Sequence, residues 1–192
     1  MSRRSLDELR SLVGQCLAGS QSAMLMLVER FRGQVFGLCY RMLGQRQDAE
    51  DAAQETFVRV LKNLHRWDQG RDFEPWLLAI AGNRCRTALA ARRRRPVADS
   101  AVELIADDAP DQRPGQLLAE EVQLALAELR AEYRQAFLLF HDHELSYGEI
   151  AEAMDVPLGT IKTWVHRARR ELIDLLRQRG AIAEARHAMP GV

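Results

Sequence analysis

The chain has 192 residues and a mass of 21.8 kDa, enough for one large domain or two small ones. Hydrophobic residues make up 47%, with only 12 Gly and 6 Pro, which excludes wholesale disorder and fibrous or low-complexity architectures. The 27 basic and 27 acidic side chains cancel in total but not along the chain. Residues 1–96 carry 17 basic and 10 acidic groups, residues 97–132 carry 2 and 9, and residues 133–192 carry 8 of each. Such segregation points to modules with different partners.

Sparse aromatics and abundant Ala, Leu, Arg and Glu favour helices over a β-sandwich. Cys16, Cys39 and Cys85 are odd in number, far apart and without CxxC or zinc spacing, and read as buried or free thiols in a reducing compartment. No apolar run approaches the roughly 18 residues of a membrane span. Beyond the basic start at Arg3 and Arg4, the charges of Asp7, Glu8 and Arg10 rule out an apolar stretch, so no signal peptide is expected and the location is cytoplasmic.

In chain order, residues 1–19 form an N-terminal segment. Met24, Leu27, Val28, Phe31, Val35, Leu38 and Met42 then recur at spacings of three and four, an amphipathic helix ending at Gly44 as C-cap. A second helix over 48–64 has Ala49, Ala53, Phe57, Val60, Leu61 and Leu64 on one face. A polar loop over 67–72 leads to a third helix over about 74–91, begun near Asp72 and Pro75 and closed by the arginines 92–95. Residues 97–115, with Pro110, Pro114, Gly115 and four Asp, read as an acidic linker. Helical periodicity resumes over 116–129, 133–140 and 146–176, and 181–192 is a tail. The expected fold is all-α: a helical domain over 20–96 and a second over 116–180, joined by a flexible acidic tether.

The second domain carries the sharpest motif. Ser146-Tyr147-Gly148-Glu149 is a capping box, because the serine hydroxyl can accept from the third N–H while the glutamate reaches back. A short helix burying Ile150, Ala151 and Met154 turns at Asp155-Val156-Pro157 into another. There Ile161, Val165, Ala168 and Leu172 form a narrow core stripe. Thr163, His166, Arg167 and Arg170 project oppositely, with Lys162 and Arg169 on the flanks and Thr160 at the start. No acid occurs from Val156 to Arg170. This is the pattern of a helix-turn-helix whose second helix enters a major groove, where Lys and Arg serve phosphates and guanine edges and Thr and His meet bases. The plainer alternative is a solvated helix with a basic face.

Two surfaces stand out in the first domain. Asp48, Asp51 and Glu55, with Glu50 and Gln54 beside them, give an acidic helix face without His or Cys nearby. It is either ordinary solvated surface or a docking face for a basic partner. On the third helix, Asn83, Arg84, Arg86 and Thr87 follow the aromatics Trp67, Phe73 and Trp76. Rings beside a basic helix suit single-stranded nucleic acid. The alternative makes Phe73 and Trp76 plain core; Trp67, in the loop, fits either reading.

The segments DAEDAAQETFVRVLKNL (48–64), FEPWLLAIAGNRCRTAL (73–89) and LSYGEIAEAMDVPLGTIKTWVHRARREL (145–172), in this order, resemble the extracytoplasmic-function sigma factors of bacterial RNA polymerase. The resemblance implies a non-enzymatic subunit, without metal or cofactor, that directs core polymerase to promoters and supports melting. It implies that Asp48, Asp51, Gln54 and Glu55 grip the β′ coiled coil, and that the second domain meets the β flap. It assigns minus-ten DNA to Trp67, Asp68, Gln69, Gly70, Arg71, Asn83, Arg84, Arg86 and Thr87, with the loop capturing a flipped-out base. Minus-thirty-five duplex falls to Thr160, Lys162, Thr163, His166, Arg167 and Arg170. The acidic linker would follow the path of nascent RNA, and an anti-sigma factor is an implied partner, with no membrane insertion. Trp164 and His166 on the reading helix, and Gln69-Gly70-Arg71 in the loop, leave the promoter sequence open. Two rivals remain: an autonomous helix-turn-helix regulator, and an enzyme using the carboxylates near Asp48 or His141-Asp142-His143-Glu144, a stretch that otherwise reads as a solvent-exposed connection.

Overall fold

The computed structural model describes residues 3–94 and 114–182. Among the described residues eight α-helices occur in order: α1 (Arg3–Leu17), α2 (Gln21–Leu43), α3 (Arg46–Asn63), α4 (Phe73–Arg94), α5 (Pro114–Glu128), α6 (Ala131–His141), α7 (Tyr147–Met154) and α8 (Leu158–Gln178). A single 3-10 turn, Leu64–Arg66, leads from α3 into the loop before α4. No strand occurs among the described residues. The linker expected over 97–115 and the tail over 181–192 lie outside them, apart from 114–115 at the start of α5 and 181–182.

Helices α1 to α4 form the first bundle. Ser20 caps α2 by accepting from the Ala23 N–H. At the other end Gly44 takes the left-handed conformation (φ 78°) that lets its N–H reach the Tyr40 carbonyl. The apolar stripe read from the sequence is the buried one: Leu27, Phe31, Val35, Leu38 and Met42 are each at most 2% exposed. Small residues on α3 (Ala49, Ala52, Ala53) let it lie close to α2, and buried Thr56 satisfies its hydroxyl on the Ala52 carbonyl at 2.7 Å.

The sequence-based boundary at residue 20 omits α1, which belongs to this bundle. Leu9, Val13 and Cys16, spaced four and three apart, are fully or almost fully buried, and α1 packs on α2 and the 3-10 turn. Phe73 is the aromatic hub. Its ring centroid lies 5.2 Å from Phe31, 5.2 Å from Trp67 and 5.5 Å from Trp76, the Trp67 contact being edge-on.

Helices α5 to α8 form the second bundle, with Leu126, Leu129, Tyr133, Leu138, Leu139, Ile150, Ile161 and Val165 at its centre. The bundles are packed together: α2 meets α5 and α6, and α4 meets α6 and α7. Their buried apolar side chains form one contiguous cluster.

Phe73→Ala removes the ring on which the Trp67 loop rests. It should destabilise the chain by about 3–5 kcal/mol, read as a lower urea midpoint. A change below about 1 kcal/mol would contradict the hub.

Candidate nucleic-acid and polymerase interfaces

The helix-turn-helix is built as its sequence suggests. Ser146 Oγ accepts from the Glu149 N–H at 3.2 Å, and Glu149 Oε2 accepts from the Ser146 N–H at 2.8 Å. Asp155 ends α7 in the left-handed region (φ 55°), and the Val156 N–H returns to the Ala151 carbonyl at 3.0 Å, closing a tight turn. On α8, Ile161, Val165, Ala168 and Leu172 are buried, while Lys162, Thr163, His166, Arg167 and Arg170 are exposed and Thr160 is half-buried.

Thr163, Arg169 and Arg167 of this helix have defined partners. Thr163 Oγ1 donates back to the Gly159 carbonyl at 2.8 Å. Arg169, on the flank, approaches His141 Nε2 at 3.0 Å. Burial holds that imidazole below the usual histidine range, and the neighbouring Arg169 cation adds to the effect. Arg167 donates to the Tyr133 hydroxyl at 3.1 Å. Tyr133 is buried on α6, its ring covered by the Arg130 guanidinium at 5.1 Å. Trp164 is half-buried against Tyr133 (6.2 Å between centroids) and so turns away from the outer face.

In the first bundle, Asp48, Asp51, Gln54 and Glu55 are all exposed along α3. Glu55 has a partner: Arg84 reaches across from α4 and donates to Oε1 at 2.7 Å. Gln54 and Glu50 also border an apolar groove of about 590 Å³ between α2 and α3, floored by Val28, Phe36, Phe57 and Leu61. The α2 wall of this groove is not evident from the sequence, where the stripe assigns Val28 to the core and leaves Phe36 out; both are half-buried.

Two residues assigned to minus-ten DNA are structural. Trp67 is 6% exposed and wedged edge-on against Phe73, so it cannot stack on a base without leaving the core. Arg84 lies against α3 with 20% of its side chain exposed, serving the pair with Glu55. The remaining members are accessible. Asp68 accepts from the Gly70 N–H at 2.9 Å and pairs with Arg71 at 3.2 Å, and Arg10 of α1 donates to the Gln69 carbonyl at 2.9 Å. The loop is therefore shaped by its own aspartate and anchored from α1. Asn83 and Thr87 are exposed on α4, Thr87 bonding the Asn83 carbonyl at 3.0 Å, and half-buried Arg86 donates to the Asn83 side chain.

In the stretch His141-Asp142-His143-Glu144, His141, Asp142 and Glu144 are exposed as the sequence suggests, while half-buried His143 faces the joint between the bundles. Asp142 pairs with Arg41 of α2, and His143, with 9% of its side chain exposed, approaches Glu74 of α4 at 4.0 Å. No group of three or more His, Cys, Asp or Glu converges as a metal site among the described residues.

The family model for Sigma-70 region 2 matches residues 27–95, and that for Sigma-70 region 4 matches residues 119–172. The ECF RNA polymerase sigma factor SigW of Bacillus subtilis is 33% identical over 88% of this chain and 97% of its own length. The chain belongs to the ECF sigma factors. Among solved structures, CnrH in complex with the cytosolic domain of CnrY has a TM-score of 0.65, with 26% identity over 88% of this chain and 97% of that one. The sigma factor RpoE of Bartonella quintana, solved with the anti-sigma factor NepR, shares the fold at a TM-score of 0.62, with 22% identity over 79% and 95% of the two chains. As an ECF sigma factor the protein directs core RNA polymerase to promoters and supports initiation. No helix of this sigma factor, among the described residues, is long and apolar enough to cross a membrane.

Burial holds His143 below the usual histidine range, Asp142 opposing the shift and Arg41 adding to it. Burial likewise pushes Glu74 up, Asp72 and Glu149 adding to it. His143 is therefore neutral at pH 7, and its approach to Glu74 is a contact rather than an ion pair. Because the folded state resists the proton, this contribution to stability is complete above the unfolded pKa of about 6.5 and is lost as pH falls from there through the lower folded pKa. Urea midpoints should fall between about pH 7.5 and about pH 5.5, and the fall should shrink in His143→Gln. A fall of unchanged size would contradict the role of His143.

Proposed function

We propose that the sigma factor divides promoter recognition between its bundles along the surfaces described above. Residues 20–96, extended by α1, bind core polymerase and the separated minus-ten strand; residues 116–180 bind the minus-thirty-five duplex. The observation that carries the reading is α8. A capped, tightly turned helix-turn-helix buries one stripe of this helix and leaves Lys162, Thr163, His166, Arg167 and Arg170 exposed in register with no acid among them. Such a face neutralises phosphates and meets base edges together. Tyr133 supports the role of Arg167 by giving a long side chain a fixed hydrogen-bond partner, which reduces the ordering cost of a base contact.

In the first bundle the minus-ten set comprises exposed Asp68, Gln69, Gly70, Arg71, Asn83 and Thr87, with half-buried Arg86 beside them. A short loop held by Asp68 beside a basic helix suits capture of an unstacked base, offsetting an unstacking cost of a few kcal/mol. Asp48, Asp51 and Glu55 on the exposed face of α3, with Gln54 on the lip of the α2–α3 groove, suit a partner helix with an apolar stripe and basic flank, as expected of the β′ coiled coil. The second bundle is assigned to the β flap and the acidic linker to the path of RNA. An anti-sigma factor is the regulatory partner, by analogy with the relative solved with one. The reading requires no covalent step, so the protein works as a non-enzymatic cytoplasmic subunit and opening is driven by differential binding to the melted state.

Transcription with core polymerase over a randomised promoter library tests the whole reading. Recovered templates should share two short elements at fixed spacing; transcripts without common elements would overturn it. Arg167→Ala should relax discrimination at one or two duplex positions by about 1–3 kcal/mol while core affinity stays intact. Equal loss of both contradicts the assignment. Asp48→Lys with Asp51→Lys should weaken assembly with core by tenfold or more, roughly, while binding of minus-thirty-five duplex is kept. Undiminished co-purification with core would count against that face.

A further inference from the structure

The loop between the 3-10 turn and α4 is built around one peptide unit. Asp68 to Arg71 form a reverse turn, the Arg71 N–H returning to the Asp68 carbonyl at 3.0 Å, with Gln69 and Gly70 at the two central positions. The unit between those two residues is held at both ends. Its N–H, that of Gly70, donates to Asp68 Oδ1 at 2.9 Å. Its carbonyl, that of Gln69, accepts from Arg10 Nε of α1 at 2.9 Å.

Both holds matter because this is the unit that can turn over. A reverse turn takes its type I form with a negative φ at the third residue and its type II form with a positive one, and the two differ in the direction of the central peptide. Gly70 does not take a positive φ, unlike Gly19 and Gly44, so the turn is of the type I kind. A glycine has no Cβ to oppose the other form. The two forms therefore lie close in energy, and the hydrogen bonds at the ends of the unit decide between them.

We propose, on the assignment of the loop 67–72 to the separated strand, that Arg10 is a positioning residue for base capture: by holding the Gln69 carbonyl it keeps the loop in one turn form and so sets which base the loop accepts. This brings α1 into strand reading, although Arg10 lies outside residues 27–95, which the Sigma-70 region 2 model matches.

Arg10 is well placed for the task. It directly follows fully buried Leu9, and Val13 and Cys16 seat the next turn of α1, which packs on α2 and on the 3-10 turn where the loop begins. Asp7, one turn earlier, accepts from Arg10 Nη1 at 3.4 Å and orients the guanidinium. The loop is pinned at its start by Trp67, edge-on against Phe73. Asp68, in contrast, belongs to the loop and moves with it.

The consequence for a base is chemical. With its N–H and carbonyl both engaged, the central unit offers a captured base little. Reading then falls to the exposed Gln69 side chain, whose amide both donates and accepts. Turned over, the unit would lose both partners and present a free donor and a free acceptor in reversed directions. Those groups suit other base edges, so a loop that samples both forms discriminates poorly. One hydrogen bond from a charged donor biases two near-equal forms by about tenfold.

The test uses holoenzyme assembled from core polymerase and the full chain. Its probes are non-template minus-ten oligonucleotides from a promoter recovered from the randomised library, with each of the four bases at each position. The unsubstituted chain should prefer one base at the captured position by about tenfold or more. Arg10→Ala should cut that preference to about threefold or less and leave the other positions and minus-thirty-five duplex affinity unchanged. Its urea midpoint should stay within about 0.3 M of the unsubstituted chain. Arg10→Lys, whose ammonium reaches the same carbonyl, should keep most of the preference. In the free chain the Gly70 amide should exchange with solvent about threefold or more faster in Arg10→Ala.

Equal loss of affinity at every position, with a fallen urea midpoint, would reduce Arg10 to a stabilising role and overturn the proposal. Full discrimination in Arg10→Ala, equal loss in Arg10→Lys and Arg10→Ala, or unaltered Gly70 exchange would overturn it too. Gln69→Ala separates the two levels. If it abolishes discrimination while Arg10→Ala does not, the role of Arg10 is overturned and the loop assignment stands. If neither alters discrimination, the loop assignment itself fails and the role of Arg10 falls with it.

Discussion

One buried guanidinium holds the arrangement together. Arg134 is 3% exposed, and burial, with Arg93 adding to it, lowers its pKa to about 10, so it stays charged at neutral pH. A buried cation without partners would cost several kcal/mol, which makes its acceptors structural requirements. It donates to the carbonyls of Ala127 and Leu129 at the end of α5, the latter at 3.1 Å, and to that of Met42 at the end of α2. The same side chain therefore closes the α5–α6 corner, which supports the helix-turn-helix, and ties that corner to the other bundle. Its neighbours in sequence divide the remaining work: Tyr133 receives Arg167 of α8, and Gln135 meets Gly82 of α4. Three consecutive residues of α6 connect the duplex-reading helix, the corner and the joint.

Elsewhere the division of labour is that of amphipathic helices. Each of α3, α4 and α8 buries an apolar stripe and turns a polar face outward. Burial of the stripes contributes the stability, on the order of 25 cal/mol per Å² of apolar surface, and the outer faces are free to specialise. The pair between Arg84 and Glu55 links two of these faces, so the surface assigned to polymerase and the helix assigned to the strand are mechanically coupled.

The legible parts of the sequence were those governed by periodicity and local capping. The stripe Ile161, Val165, Ala168 and Leu172, the Ser146–Glu149 box and the Gly44 cap all depend on residues within a few positions of one another. Helix α1 has the same periodicity in Leu9, Val13 and Cys16, but its apolar stripe is short and flanked by polar residues, so the sequence alone does not join it to the bundle. Trp67 and Arg84 were not readable. Whether a loop aromatic faces solvent depends on Phe73 folding back beneath it, and Arg84 finds its carboxylate 29 residues away. The joint left little trace in composition, because several of its acceptors are the main-chain carbonyls of Tyr40, Arg41 and Met42 and one of its packing contacts is to a glycine. The burial of His143 is not readable from its polar neighbours, because the surface that covers it is on another bundle.

The central claim is that one chain holds its two reading surfaces together when free and apart on a promoter. Pulsed electron–electron resonance between spin labels at Lys62→Cys on α3 and Asp174→Cys on α8, both exposed, measures that directly. A single short distance in the free chain that lengthens by tens of ångströms, roughly, in the complex with core polymerase and promoter is the predicted result. The same distance distribution in both states would contradict the account.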